Sequence, residues 1–180
     1  MITAAQQDYI EDYAYVPEHI PHYVTAISQT EPFLFGDYLA YAKKDRLIFV
    51  GYSLSELFDD KRMRNALEKA IKRFKPESVS LIAPSIPSSL NDRPHPPSDH
   101  YYRLDLSSLS ISQKLRNMLK RAGGELSVEK NKNFDEEHRK MVEEFLKAHP
   151  VDGATRSIFQ RIDKYLSSSK TAWIFDARNE

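Results

Sequence analysis

The sequence predicts an α/β protein in which a mixed, mainly antiparallel sheet is flanked by helices. The first observation comes from the C-terminal half, where apolar residues recur at helical spacing, then at strand spacing, then at helical spacing again before a last apolar run. The second comes from the N-terminal half, where aromatic and β-branched runs precede an amphipathic helix and another short apolar run. Strands and helices mixed in this way are typical of α/β folds.

The N-terminal half begins with short helices and a hairpin. Residues 1–30 are rich in tyrosine, and Pro17 and Pro21 divide them into one or two short predicted helices. Phe33–Tyr52 predicts two strands, because aromatic and β-branched residues flank the charged turn Lys43–Arg46.

A helix and two further strands follow. Ser53 and Glu56 match a capping box, and apolar residues then repeat at helical spacing over residues 63–74. Val79–Ala83 predicts a buried strand, and Tyr101–Leu106 alternates like a strand that returns to the sheet. The proline-rich stretch between these two strands predicts a surface loop.

The C-terminal half opens with a basic amphipathic helix, Ser112–Ala122. Its apolar members share one narrow arc and its cations fill the opposite one. Gly123 and Gly124 predict the end of this helix in a left-handed turn, and Glu125–Lys130 alternates like a half-buried strand.

Two more helical patterns precede the last strand. They run over residues 134–146 and 158–166 and are separated by a break that contains Pro150 and Gly153. Thr171–Phe175 predicts a strand that is apolar on both faces and belongs inside a sheet. The residues after it predict the start of a hairpin turn, which would leave this strand without its antiparallel partner.

The order strand, helix, helix, strand resembles the opening of the GNAT acyltransferase fold. The preceding helix has the sequence LRNMLKRA over residues 115–122. It is similar to a helix that precedes the second GNAT unit in FemAB-like aminoacyl transferases and related tandem-GNAT proteins. The resemblance implies two GNAT-like units, residues 1–111 and 112–180, with the chain ending inside the second. It also implies transfer of an acyl or aminoacyl group from acyl-CoA or aminoacyl-tRNA to a small-molecule or peptide amine.

The loop that holds acyl-CoA in GNAT enzymes has no match in this chain. The family pattern is Gln or Arg, two residues, Gly, one residue, then Gly or Ala, and its backbone amides contact the pyrophosphate. The nearest stretch, Arg121–Leu126, ends in a bulky leucine and follows a helix instead of a strand. We therefore expect this chain to bind no cofactor and to be inactive alone, and its catalytic residues stay unassigned.

The basic helix is the predicted substrate site. Lys114, Arg116, Asn117 and Arg121 are the candidate residues, because four cations lie between Lys114 and Arg121 without an acid. Arginine can bind a phosphate or carboxylate group bidentately. An ordinary solvated face explains the same pattern, as does nucleic-acid binding, which would need aromatic stacking partners or a wider basic surface. A non-catalytic interaction module with a degenerate GNAT fold is the alternative function.

Composition limits the remaining classes. Lys and Arg balance Asp and Glu at 26 each, which argues against nucleic-acid binding except to aminoacyl-tRNA as donor. The chain has no cysteine, and its histidines lack a recognisable metal-ligand spacing, so we expect no metal site. No apolar run is long enough to span a bilayer, which predicts a cytoplasmic protein without membrane contact. If the predicted strand Thr171–Phe175 has no antiparallel partner within the chain, its open edge is expected to pair with a second copy of the chain.

Overall fold

The computed structural model describes residues 1–55, 58–87, 98, 100–102 and 104–179. It is a mixed α/β structure that divides into two compact units, Met1–Ser98 and Asp99–Glu180. This division precedes the boundary that the sequence predicts between residues 111 and 112. No helix within the described ranges combines the length and the apolar character needed to cross a membrane.

The first unit contains one four-stranded sheet with three antiparallel strands and one parallel strand. The strand order is β1-β2-β3-β4, and β3 and β4 are the parallel pair. The elements, in chain order, are α1 (Ala4–Tyr13), a 3-10 turn (Pro17–His19), α2 (Pro21–Ser28), β1 (Glu31–Phe35), β2 (Tyr38–Lys43), β3 (Arg46–Val50), α3 (Asp60–Phe74) and β4 (Ser78–Ile82).

The stretch Phe33–Tyr52, predicted as a hairpin of two strands, contributes to three strands, β1, β2 and β3. The turn at Lys44 and Asp45 forms as expected, but a second tight turn at Gly36 and Asp37 separates β1 from β2. Gly36 adopts a φ of 64°, a left-handed conformation that glycine reaches without strain. The aromatic residues on both sides hide this turn in the sequence.

Helices cover both faces of this sheet. On one face, Phe49 and its neighbours pack on the apolar stripe of α3, which includes Met63 and Leu67. On the other face, Leu39 and Tyr41 pack with residues that include Ile10 of α1. Burying one such large apolar side chain contributes about 1.5–3 kcal/mol, so these two layers dominate the stability of the unit.

Two local predictions in this unit differ from the structure. The helix α3 begins at Asp60, capped by the Asp59 carboxylate, which accepts a hydrogen bond of 2.9 Å from the Arg62 amide. The predicted capping box includes Glu56, which lies outside the described residues. Strand β4 is half exposed instead of buried, because it lies at the edge of the sheet.

The second unit contains a two-stranded antiparallel sheet with helices between its strands. The elements are α4 (Gln113–Glu125), β5 (Leu126–Asn131), α5 (Glu136–Ala148), α6 (Gly153–Gln160), α7 (Ile162–Ser168) and β6 (Ile174–Asn179). Upstream of α4, the predicted strand Tyr101–Leu106 does not form in the part of it that the structure describes.

Three boundaries in this unit also need correction. The helix α4 continues through Gly123 and Gly124 and leads directly into β5, because neither glycine takes the left-handed conformation that would end it. The single helix predicted over residues 158–166 breaks at Arg161 into α6 and α7. The last strand begins at Ile174 instead of Thr171, and the residues expected to turn pair with β5.

Candidate functional site

The predicted substrate residues lie together on α4, and all of them are exposed. Ser112 caps this helix by accepting a hydrogen bond of 3.3 Å from the Leu115 amide. Arg116 donates through Nη2 to the Ile111 carbonyl at 3.0 Å, and Asn117 accepts from Gln113 at 2.9 Å. No described carboxylate forms an ion pair with any of the four α4 cations, so their charge is available to an anionic ligand.

The apolar side of α4 is open as well. Leu115, Met118 and Leu119 are 45%, 52% and 54% exposed. A surface helix normally buries such a stripe against a core. In this helix, therefore, both the basic and the apolar face are accessible.

A cleft of about 280 Å³ lies between the helices α5 and α6. Its apolar lining includes Phe134, Leu146 and Phe159. Three cations line it too, but Arg139 pairs with Asp163 at 3.1 Å and Lys147 lies 4.0 Å from a Glu143 oxygen.

Arg156 is the cation of this cleft that no described carboxylate neutralises. It makes one long hydrogen bond of 3.4 Å to the Leu146 carbonyl. An apolar body with one anionic group would fit this combination of lining residues. Sequence reasoning missed the cleft, because it exists only once α5 and α6 pack together.

His138 on α5 contacts a carboxylate with each of its ring nitrogens. Its Nδ1 lies 2.6 Å from an Asp135 carboxylate oxygen and its Nε2 lies 2.7 Å from Asp176. The bond to Asp176 raises the pKa of His138 above its usual 6.5 more than burial lowers it, and the bond to Asp135 adds to the increase. When His138 is protonated, both ring N–H groups donate to carboxylates and no nitrogen is free, so His138 connects α5 to β6 and is unsuited to act as a base.

The sequence carried only part of the signal for this group. Asp135 stands three residues before His138, which is the spacing of a helix cap, and the Asp135 carboxylate does accept from the His138 amide at 3.2 Å. The pKa of Asp135 is lowered first by that amide, and the pKa of Asp176 is lowered first by the imidazole. Asp176 is too distant in sequence to be assigned as a partner in advance.

Two further groups are structural. Within the stretch 121–126, residues 121–125 are helical, so these amides serve the helix α4 and form no phosphate-binding loop. His19 is fully buried, accepts at Nδ1 from the Tyr15 amide at 3.5 Å, and donates from Nε2 to the Tyr52 carbonyl at 3.0 Å. Burial lowers the pKa of His19, which keeps it neutral.

Throughout the described ranges, no group of three or more His, Asp or Glu side chains could hold a metal ion.

Comparisons with protein-family models, with curated proteins and with solved structures found no match to this chain.

Proposed function

We propose that this chain is part of an acyltransferase of the GNAT and FemAB-like type. Such an enzyme moves an acyl or aminoacyl group from acyl-CoA or aminoacyl-tRNA to an amine. The observation that supports the proposal is the second unit, in which an antiparallel pair, β5 and β6, brackets the three helices α5, α6 and α7, an order close to the strand, helix, helix, strand of a GNAT opening. The exposed basic helix directly before β5 agrees with the same resemblance.

In this proposal, α4 binds an anionic group of a substrate. The hydrogen-bond donors on this exposed helix are Lys114, Arg116, Asn117 and Arg121. The four cations between residues 114 and 121 together create a local positive potential. Neighbouring helical cations repel each other by a few tenths of a kcal/mol per pair. A phosphate or carboxylate would relieve that repulsion and could bind either arginine bidentately.

The chemistry of transfer requires little from the protein beyond placement. The enzyme orients the amine, assists loss of its proton and stabilises the developing oxyanion with a backbone amide. Both ring nitrogens of His138 are occupied, so we assign the base to no residue of this chain. Substrate orientation through α4 is the contribution that the described residues can make.

The experiment compares two charge-neutralising variants. Arg116→Gln with Arg121→Gln removes two cations from α4, and Lys61→Gln with Lys72→Gln removes two exposed cations from α3 as a matched control. Exposed charges contribute little to stability, so both double variants should keep the melting temperature. Only the α4 variant should lose the amide-resonance shifts that inorganic phosphate or aminoacyl-tRNA causes in residues 114–121.

Two results would contradict the proposal. If phosphate, nucleotides, acyl-CoA and aminoacyl-tRNA all leave the resonances of residues 114–121 unchanged, α4 is an ordinary solvated face. If the two double variants weaken the phosphate-induced shifts equally, anion binding does not depend on α4.

A non-catalytic interaction module is the second candidate function. The exposed apolar arc of α4 favours it, since an apolar helix face can dock on another protein. Replacing Met118 and Leu119 with Gln would weaken such docking and leave small-anion binding unchanged. The transferase proposal predicts that anion binding depends on the arginines alone.

We further propose that the protein is cytoplasmic and that its last strand can pair with a second copy. Within the described chain, β6 has one neighbour, β5, so its other edge offers unpaired backbone groups. This edge belongs to Ile174–Asn179 and not to the predicted Thr171–Phe175. Sedimentation that shows only monomer at high concentration would exclude the pairing.

A further inference from the structure

The two-stranded sheet of the second unit has one covered face and one open face. On the covered face, Asp176 bonds Asn131 across the strands and His138 of α5. We call the open face the aromatic face. It consists of Leu126, Val128, Lys130, Lys132, Trp173, Phe175, Ala177 and Asn179, which share one side of the sheet by register or by ring contact.

The aromatic face is exposed and carries charge of one sign. Val128 is 66% exposed, Trp173 45% and Phe175 67%. Its only ionisable residues are Lys130 and Lys132, whereas the acids of the two strands, Glu129 and Asp176, alternate onto the opposite face. Flat aromatic rings therefore stand beside cations without a carboxylate on the same face.

The two lysines are placed against the rings. The Lys130 Nζ lies 4.1 Å from the centroid of Trp173 and 5.9 Å from that of Phe175. The Lys132 Nζ lies 4.6 Å from the centroid of Trp173 and also donates to the Ser169 carbonyl at 3.1 Å. This anchoring holds one positive charge beside the indole before any ligand arrives.

We propose that the aromatic face binds single-stranded nucleic acid, with bases stacked on Trp173 and Phe175 and phosphates at Lys130 and Lys132. Aromatic side chains beside cations on an open sheet are the combination by which proteins hold unpaired bases. Residues two apart on one side of a strand are roughly 6.6 Å apart, so each ring can take a separate base.

Lys130 does not block this binding. A cation over an exposed aromatic ring is a weak interaction, and base stacking is generally stronger, so a base can displace Lys130 from the indole. The released ammonium then lies beside the sugar–phosphate backbone. A docking helix fits the face less well, because it inserts apolar side chains into a groove and this face is a single open layer.

This proposal is independent of acyl transfer and uses residues outside α4. The apolar run Thr171–Phe175 predicts a strand inside a sheet, so the sequence offers no reason to expect its aromatic side chains to be exposed and able to bind a ligand. Exposure of Trp173 and Phe175 supplies the stacking partners that a basic helix alone lacks.

The single tryptophan of the chain is a direct reporter, because every change in intrinsic indole emission comes from Trp173. The 180-residue chain is titrated with oligothymidylate of about twelve nucleotides, a length within the range that such sites cover. Saturable quenching is expected with the single strand and not with a duplex of equal length. Two phosphate contacts predict a log-log salt slope of about −1.4.

Matched variants locate the site. Phe175→Ala should weaken binding about tenfold, as loss of one stacked base does, whereas Tyr102→Ala, at a still more exposed aromatic residue of the same unit, should not. Lys130→Gln should reduce the salt slope to about −0.7, and Lys140→Gln should leave it unchanged. Circular dichroism confirms that each variant is folded.

Three outcomes would overturn the proposal. The first is no quenching by the single strand at about 1 mM, well above the weakest usual non-specific dissociation constants. The second is quenching by an acidic peptide or by anionic vesicles when the oligonucleotide has no effect, which would assign the face to protein or lipid. The third is loss of binding in Arg116→Gln with Arg121→Gln and not in Phe175→Ala, which would transfer the site to α4.

Discussion

Replacing His138 with Ala should destabilise the second unit most in mildly acidic solution. The variant removes an imidazolium that bonds Asp135 at 2.6 Å and Asp176 at 2.7 Å, and so releases α5 from β6. Asp176 would keep only its bond to Asn131 among the described partners. The variant therefore loses the link between α5 and β6, which are far apart in the chain.

The size of the loss follows from the two bonds at His138, whose side chain is 11% exposed. A hydrogen bond to a charged group contributes about 1.5–3 kcal/mol, and the bond to the more exposed Asp135 contributes less. We expect His138→Ala to lower the free energy of unfolding by about 2–4 kcal/mol. For a unit of this size, that change lowers the melting temperature by roughly 10–20 °C.

The pH dependence has a definite sign. The folded pKa of His138 is raised above 6.5, so its contribution is fully present below pH 6.5 and disappears as the pH rises through the folded value. The folded pKa values of Asp135 and Asp176 lie below 3.8, so their contribution is present above pH 3.8 and disappears as the pH falls through the folded values. The network is complete between these limits.

Thermal unfolding followed by circular dichroism at pH 5.5 and pH 9 measures the effect. The difference between the original protein and His138→Ala should be larger at pH 5.5 than at pH 9. His149→Ala is the matched control, because His149 lies at the end of the same helix and bonds only the Phe145 carbonyl among the described groups. Equal losses at both pH values, or the same pattern in His149→Ala, would refute a charged His138 between two carboxylates.

Three further predictions concern backbone packing, cofactor binding and the last strand. Gly51→Ala should lower the free energy of unfolding by about 1–3 kcal/mol, because the added methyl group would lie 2.6 Å from atoms of Ala83 and Met63. Gly153→Ala, where the added methyl group meets open space, should cause no such loss. Chemical denaturation of both variants measures the difference. Calorimetry should find weak or no binding of acetyl-CoA, since residues 121–125 form a helix, and a tight one-to-one complex would contradict this. Trp173 should show red-shifted emission, which a fully blue-shifted spectrum would disprove.

Helical segments were the most predictable part of this chain. Periodicity located α3, α4 and α5. These signals are local, because a helix closes its hydrogen bonds between residues four apart and its caps involve neighbouring residues. The four predicted residues of α4 share one exposed helix for the same reason, although their role in binding stays a prediction.

Strand pairing and exposure were less predictable. The turn at Gly36 was hidden within an aromatic run, and the predicted strand at Tyr101–Leu106 is absent from its described part. A strand gains its hydrogen bonds from residues distant in sequence, so its limits depend on the partner that the fold supplies. The start of the last strand at Ile174 follows from its register with β5.

The sequence by itself determined the α/β class, the positions of the main helices and the basic, amphipathic character of α4. Only the tertiary structure decided that His138 connects two aspartates, that a cleft opens beside Arg156, and that Trp173 and Phe175 are exposed beside lysines. The physical reason is that charge and periodicity are properties of short segments. Burial, pairing and pKa depend on which distant segments come into contact.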